Sequence, residues 1–252
     1  MQRHERHGYI LDRIASNGKV RVRELADELN VSTASVRRDL EFLEDQKSLA
    51  RTHGGAIAHG VIYELPLRYR AGRHEEEKRR IAAAAAERLH GAETVYVDEG
   101  VTPQFVAEAI RPDNPITVVT SSLLAAGALA ESPQVTVLLL GGRMRGRTLA
   151  TVDHWALRML SDLVIDLAFL GANGISRDHG LTTPDPAVAA VKSAVIDRSR
   201  RRIFVGLHTK FGAASFCRFA EVSDFEVLVT DTGLSPHEAR RFSVLGPQVV
   251  RA

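Results

Sequence analysis

The sequence is poor in several things, and each shortage excludes something. Cys217 is its only cysteine, which rules out an intramolecular disulfide and a cysteine-based zinc site. No apolar run approaches the roughly 18 residues that a membrane helix needs. The start, MQRHERHGYILDR, lacks the apolar stretch of a secretory signal, so a cytoplasmic protein with no membrane partner is expected. The ten histidines are scattered. His4 and His7 can share a helix face, but two ligands without a third make a poor metal site. Neither a metal nor any other cofactor is expected. An excess of one charge is also missing: the net charge is +2 over 252 residues. Within residues 1–58, ten Lys/Arg face nine Asp/Glu. A nucleic-acid role must therefore rest on where the charges point.

What is present begins with helical patterning. QRHERHGYILDRIASNGKV spaces Tyr9, Ile10, Ile14 and Ala15 near a helical period and stops at Asn17-Gly18, a helix-end signal. RVRELADELN puts Val22, Leu25, Ala26 and Leu29 on one face. In VSTASVRRDLEFLEDQ, Ser32 is a good N-cap, and Val36, Leu40 and Leu43 form the buried stripe. Two helices around the tight Asn30-Val31 turn make a helix-turn-helix. Ser32, Thr33, Ser35, Arg37 and Arg38 lie at the start of the second helix or off its stripe, as suits a helix entering a major groove. SLARTHGGAIA then gives two strand-like pieces around Gly54-Gly55, a wing from which Arg51 and His53 are expected to reach the DNA backbone. The alternative is a helical hairpin with solvated arginines.

These residues carry a resemblance. Val31-Ser32, Arg37-Arg38-Asp39-Leu40 and Arg51-Thr52-His53-Gly54-Gly55-Ala56 resemble the N-terminal winged helix of the DeoR family of bacterial transcriptional regulators. Asp39 is expected to be structural, holding an arginine in place, because a carboxylate facing phosphate is repelled.

Residues 59–74 lack periodicity and read as a linker. EEEKRRIAAAAAERL is a strong helix by propensity, with acids in its first turn. The chain then alternates: TVYV (94–97), ITVV (116–119), VTVLLL (135–140), DLAFL (166–170), RIFVGL (202–207) and FEVLVT (225–230) are strand-like, and SLLAAGALAES and PAVAAVKSAVIDRS are clear helices. Apolar strands between helices predict a mostly parallel sheet covered on both faces. The domain division is 1–58 for a winged helix-turn-helix, 59–74 for the linker, and 75–252 for effector sensing and oligomerisation.

Ligands of such sheets bind at the carboxyl ends of the strands, where the polar residues gather. YVDEGVTP supplies Asp98, Gly100 and Thr102 at a helix start. Next come Thr120-Ser121-Ser122, Gly141-Gly142-Arg143 with Arg145, Asn173-Gly174 with Asp185, and Lys210; Lys192 adds charge. Glycine amides, hydroxyls and cations suit a phosphorylated polyol. The alternative is a set of plain turns over a structural sheet.

This half resembles the DeoR sensor domain, whose pattern runs D-x-G-T-T, T-N-S, G-G-x-x-R, G-x-x-G-I and D-H-[ST]-K-F-G; with the winged helix it spans about residues 3–235. The resemblance implies an α/β sensor domain with a ribose-5-phosphate isomerase/glucosamine-6-phosphate deaminase-like fold behind a small α+β winged helix. It implies a regulator that binds operator DNA as a dimer or tetramer, repressing a carbohydrate operon until a phosphorylated sugar or related metabolite releases it. Val101, Ser121, Val188 and Leu207 stand where the family carries Thr, Asn, Glu and Asp, implying either an unusual anion or lost sensing. An isomerase on this fold needs a carboxylate base. Asp98, Glu99 and Asp185 are candidates, but Val188 and Leu207 remove others, so a sensor is expected rather than an enzyme. A DNA-binding oligomer without a ligand is the third class.

Overall fold

The computed structural model describes residues 2–45, 48–57, 70 and 72–252. Its contacts divide into two compact units, Met1–Arg73 and His74–Ala252. Of the linker expected over 59–74, residues 59–69 and 71 lie outside the described residues. No helix among the described residues is long and apolar enough to cross a membrane.

In the first unit, α1 (Arg3–Asn17) ends where Gly18 turns left-handed and returns its amide to Ile14 O at 2.8 Å. A three-residue strand, β1 (Lys19–Arg21), precedes α2 (Val22–Leu29). Asn30, also left-handed, makes the tight turn into α3 (Thr33–Asp45). The strands β2 (Ala50–Thr52) and β3 (Gly55–Ile57) complete a sheet in the order β1-β3-β2. The helical stripes and the sheet meet in one core that includes Ile10, Ile14, Leu25, Val36, Leu40 and Leu43. This is a winged helix-turn-helix.

Asp39 does hold an arginine. It is buried, and its carboxylate takes Arg6 Nε at 2.7 Å and Nη2 at 3.1 Å, with His7 Nε2 at 2.9 Å. Burial outweighs the pull of Asp39 and holds the His7 imidazole below its usual value, and its ring stacks on Phe42. These contacts tie α1 to α3 and set the pose of α3. Asp39→Ala removes the buried carboxylate shared by Arg6 and His7. We expect it to destabilise this unit by about 2 kcal/mol. Urea unfolding checks this, and a loss within about 0.5 kcal/mol, as at ordinary surface sites, contradicts it.

The second unit is built on seven parallel strands in the order β15-β14-β12-β9-β4-β5-β6. From the centre, β4 (Thr94–Val97), β5 (Ile116–Thr120) and β6 (Val135–Leu139) run one way. β9 (Ile165–Leu170), β12 (Ser199–Val205), β14 (Val227–Thr230) and β15 (Gln248–Arg251) are laid down in turn on the opposite side of β4, all parallel to it. The order therefore reverses between β4 and β9, and their carboxyl ends flank the crevice where doubly wound sheets bind ligands. Two small antiparallel additions pack with this sheet. One is the hairpin β7 (Arg143–Arg145) with β8 (Ala150–Val152). The other is β10 (Gly174–Ser176), β11 (Gly180–Thr183) and β13 (Cys217–Ala220). Among the helices are Glu75–Ala86, Val101–Ala109, Leu123–Leu129 and Pro186–Arg198. The core is mainly aliphatic, with Phe169 and Phe204 fully buried on the central strands.

Candidate functional site

In the first unit the polar face of α3 is open. Ser32 caps the helix, its hydroxyl accepting from the Ser35 amide at 3.1 Å and lying 3.0 Å from the Ser35 hydroxyl. Thr33, Arg37 and Arg38 are exposed, and Ser35 is half-buried. The turn of the wing leaves His53 exposed beside Gly54. Arg51 is exposed on β2. Its amide donates to Glu44 Oε1 at 2.8 Å, and its guanidinium lies 3.7–3.8 Å from Glu44 and Glu41. It ties the wing to the far half of α3.

In the second unit the residues named from the sequence lie along the carboxyl edge, but they do not all face outward. Gly100, with φ +108°, opens helix Val101–Ala109, a backbone that favours glycine. Thr102 on its first turn is half-buried. Asp98, at the crevice between β4 and β9, is buried. One of its oxygens takes the Gly171 amide at 2.9 Å and the ammonium of buried Lys192, which also donates to Gly171 O at 3.1 Å. Glu99 stands 3.9 Å from the same ammonium. Asp98 and Lys192, expected to touch a ligand, thus occupy each other: a buried charge is stable only with a partner.

The hydroxyls after β5 turn inward. Thr120 donates to Val97 O at 2.6 Å and accepts from the Ser122 amide. Ser121 pairs with the Tyr96 hydroxyl at 3.1 Å, and Ser122 caps helix Leu123–Leu129. All three are buried and fasten the edge. Burial, with Asp98 nearby, holds the Tyr96 hydroxyl well above the usual phenol range.

Gly141 and the exposed Gly142 precede Arg143, which is exposed and paired with Asp153 at 2.7 Å. Arg145 is mostly buried; its guanidinium meets Asp185 at 3.0 Å and Thr148 at 3.2 Å. Asp185 also caps helix Pro186–Arg198 through the amides of Ala187 and Val188. Asn173 accepts from the Thr183 hydroxyl at 3.2 Å, and Gly174 is buried on β10. Lys210 is half-buried in the turn after β12. Of the departures from the family pattern, Val101, Val188 and Leu207 are buried apolar side chains, so they pack.

Sequence reasoning missed Asp231, at the end of β14. The His208 amide and ring both bond it, and burial alone would raise its carboxyl. Hydrogen bonds from the His208 amide and ring and the Gly233 amide hold it below the ordinary carboxylate range instead. A depressed carboxyl contributes stability above its unfolded pKa of about 3.9 and loses it as pH falls through the lower folded value. Stability of the wild type is therefore expected to fall more steeply than that of Asp231→Asn between about pH 5 and pH 3. Parallel pH–stability curves contradict this.

A cavity of about 910 Å³ opens at the opposite, amino edge, between residues 83–94 and 109–117. Its lining holds none of the candidate site residues, and the crevice rule for parallel sheets directs ligands to the other edge.

Comparison with known proteins gives the family. Residues 6–59 match the DeoR-like helix-turn-helix domain, and residues 73–232 match the DeoR C terminal sensor domain. The glycerol-3-phosphate regulon repressor of Escherichia coli K12 is 31% identical, over 92% of each chain. The regulator GlpR of Haloferax volcanii is 33% identical over 98% of this chain and 96% of its own, and the repressor GlcR of Bacillus subtilis is 31% identical over 92% and 89%. Ribose 5-phosphate isomerase A from Neisseria gonorrhoeae superposes with a TM-score of 0.39 at 17% identity, over 54% of this chain and 53% of its own, too distant a likeness to argue from. Across both units, the chain belongs to the DeoR family of transcriptional regulators.

Proposed function

We propose that the chain is a cytoplasmic repressor that binds operator DNA through the exposed face of α3 and is released when a phosphorylated sugar or related anion enters the second unit. The DNA contacts fall to Ser32, Thr33, Ser35, Arg37, Arg38 and His53, with Arg51 in a supporting place. The effector sits at the carboxyl edge, held by the amides at Gly100, Gly141, Gly142 and Gly174, by Thr102 and Asn173, and by Arg143, Arg145 and Lys210. Asp98, Lys192 and Asp185 shape that edge from beneath, and Thr120, Ser121 and Ser122 brace it. Residues 59–74 join a DNA-binding domain, 1–58, to a sensing and oligomerising domain, 75–252.

One observation carries the sensor over the enzyme. Asp98 is held by Lys192 and Gly171, and Asp185 by Arg145 and two helix amides. A base that removes a carbon proton must reach it; these two carboxylates are already engaged, and the third candidate, Glu99, is buried with its carboxylate 3.9 Å from the Lys192 ammonium. A second reading, a DNA-binding oligomer without a ligand, is favoured by the inward-turned hydroxyls of Thr120–Ser122 and the packed Val101, Val188 and Leu207. Helix-turn-helix proteins read paired half-sites as dimers, so a homodimer or homotetramer is proposed, and sedimentation velocity tests it.

A melting-temperature screen against sugar phosphates, free sugars and inorganic phosphate separates the two readings. At about 100 times its Kd, a ligand adds about 2.7 kcal/mol, a rise of several degrees for a unit of this size. A flat response to every compound removes the sensor.

A further inference from the structure

The carboxyl edge holds a histidine outside the proposed contacts. His208 opens the single turn, His208–Lys210, that also carries Lys210. Its amide donates to Asp231 Oδ1 at 2.7 Å, and its ring Nδ1 lies 2.6 Å from Asp231 Oδ2. Asp231 is itself 3% exposed and takes the Gly233 amide at 3.0 Å. The fit is close: a Cβ on Gly233 would stand 2.3 Å from His208 Nδ1 and 2.7 Å from Asp231 Oδ2. Asp231-Thr232-Gly233 thus both grips the ring and leaves room for it. The other side of the turn is fixed too. Phe211 packs edge-on against Phe204 and Phe242, and the Gly212 amide donates to Ile175 O at 2.9 Å.

A carboxylate on one ring nitrogen fixes the tautomer and so the role of the other nitrogen. With Asp231 accepting at Nδ1, the proton sits there and Nε2 is the remaining polar atom. Nε2 has no hydrogen-bond partner among the described residues, and the side chain is 36% exposed. β12 neighbours β9, which neighbours β4. The turn of His208 therefore follows the second strand along from the one that Asp98 follows, on the same edge, and Asn173 leads into the β10 strand on which that turn rests.

We propose that His208 is a specificity-determining residue of the effector site: its Nε2 bonds a hydroxyl of the polyol whose anionic group Lys210 takes, and Asp231 is the residue that positions it. The proposal rests on the effector site described under Proposed function. A ligand with the anion alone does not use Nε2; a phosphorylated polyol does.

The test is calorimetric titration of the full chain with glycerol 3-phosphate, ribose 5-phosphate and inorganic phosphate, for wild type, His208→Phe, His208→Gln, Asp231→Asn and Lys210→Ala. His208→Phe is expected to bind the preferred phosphorylated polyol about tenfold more weakly, with inorganic phosphate unchanged. Lys210→Ala weakens all ligands. His208→Gln, which keeps a polar side chain, serves if the phenylalanine variant misfolds, and is expected to discriminate less than wild type. Asp231→Asn is expected to mix the two ring tautomers in nitrogen NMR and to weaken the polyol phosphate alone; a purely structural role changes neither selectively. Unchanged binding in both His208 variants, or an equal loss for inorganic phosphate, overturns the proposal while leaving the effector site standing if Lys210→Ala still loses its ligands. Failure of all three compounds to bind wild type sinks the site and the proposal together.

Discussion

Lys192→Met lowers the stability of the second unit by about 3–5 kcal/mol, the usual result of removing one partner from a buried ion pair. Lys192 and Asp98 are 2% and 1% exposed on their side chains, and they meet at the carboxyl ends of β4 and β9. The Met side chain fills most of the space, so the loss reports the stranded Asp98 carboxylate and not a cavity. The Gly171 amide remains on Asp98 but does not neutralise it. Adding Asp98→Asn to Lys192→Met removes the stranded charge, so the double variant is expected to recover much of the loss, a non-additivity diagnostic of direct contact. Native-state hydrogen exchange of the β4 and β9 amides isolates this unit from the first. A single-variant loss below about 1 kcal/mol, typical of surface pairs, contradicts the reading of Lys192 as the internal counterion of Asp98.

Arg37 and Arg38 carry the second large effect, on binding and not on folding. Both are exposed on α3, so their truncation leaves the core of Val36, Leu40 and Leu43 untouched. Each Arg→Ala change is expected to cost about 1–3 kcal/mol in operator affinity. An arginine on phosphate also lowers the slope of log affinity against log salt by about 1, whereas one on a base edge relaxes specificity with little change of slope. The two variants together thus sort the contacts as well as weighing them. Unchanged operator affinity and salt slope in both would remove α3 as the reading helix. Arg51→Ala is expected to have a smaller effect on affinity, because Glu41 and Glu44 already hold its guanidinium.

Much of the fold was legible because its elements are long or strongly patterned. Continuous apolar strands such as ITVV and DLAFL separated by Ala-rich helices leave few architectures open, and the helix-end signals at Asn17-Gly18 and Asn30 fall where α1 and α2 stop. The strands that escaped, β1, β7, β8, β10, β11, β13 and β15, are three or four residues each, too short for a period, and they lack the continuous apolar run that marks the equally short TVYV. The candidate site was legible as an edge and not as a set of directions. Nothing in the spacing of Asp98 and Lys192, 94 residues apart, reveals that they neutralise each other. Thr120, Ser121 and Ser122 look like ligand hydroxyls, but each faces a backbone group or Tyr96, because buried polar atoms must find partners. Asp231 had a signal, an acid directly after the strand-like FEVLVT; the rule applied to the first five strands reaches it on the sixth.

The proposed coupling joins operator binding to an anion at the carboxyl edge of the second unit. It is tested most directly by fluorescence-anisotropy titration of the full chain on DNA fragments that it selects from genomic DNA, with and without glycerol 3-phosphate, ribose 5-phosphate and the other compounds of the melting screen. A coupling of ordinary size, 1–3 kcal/mol, predicts that the ligand which raises the melting temperature weakens operator affinity by about 5–150-fold, and that Lys210→Ala abolishes the effect while keeping the DNA affinity of the free protein. Selective DNA binding that no ligand changes, or the absence of any selected fragment, contradicts it.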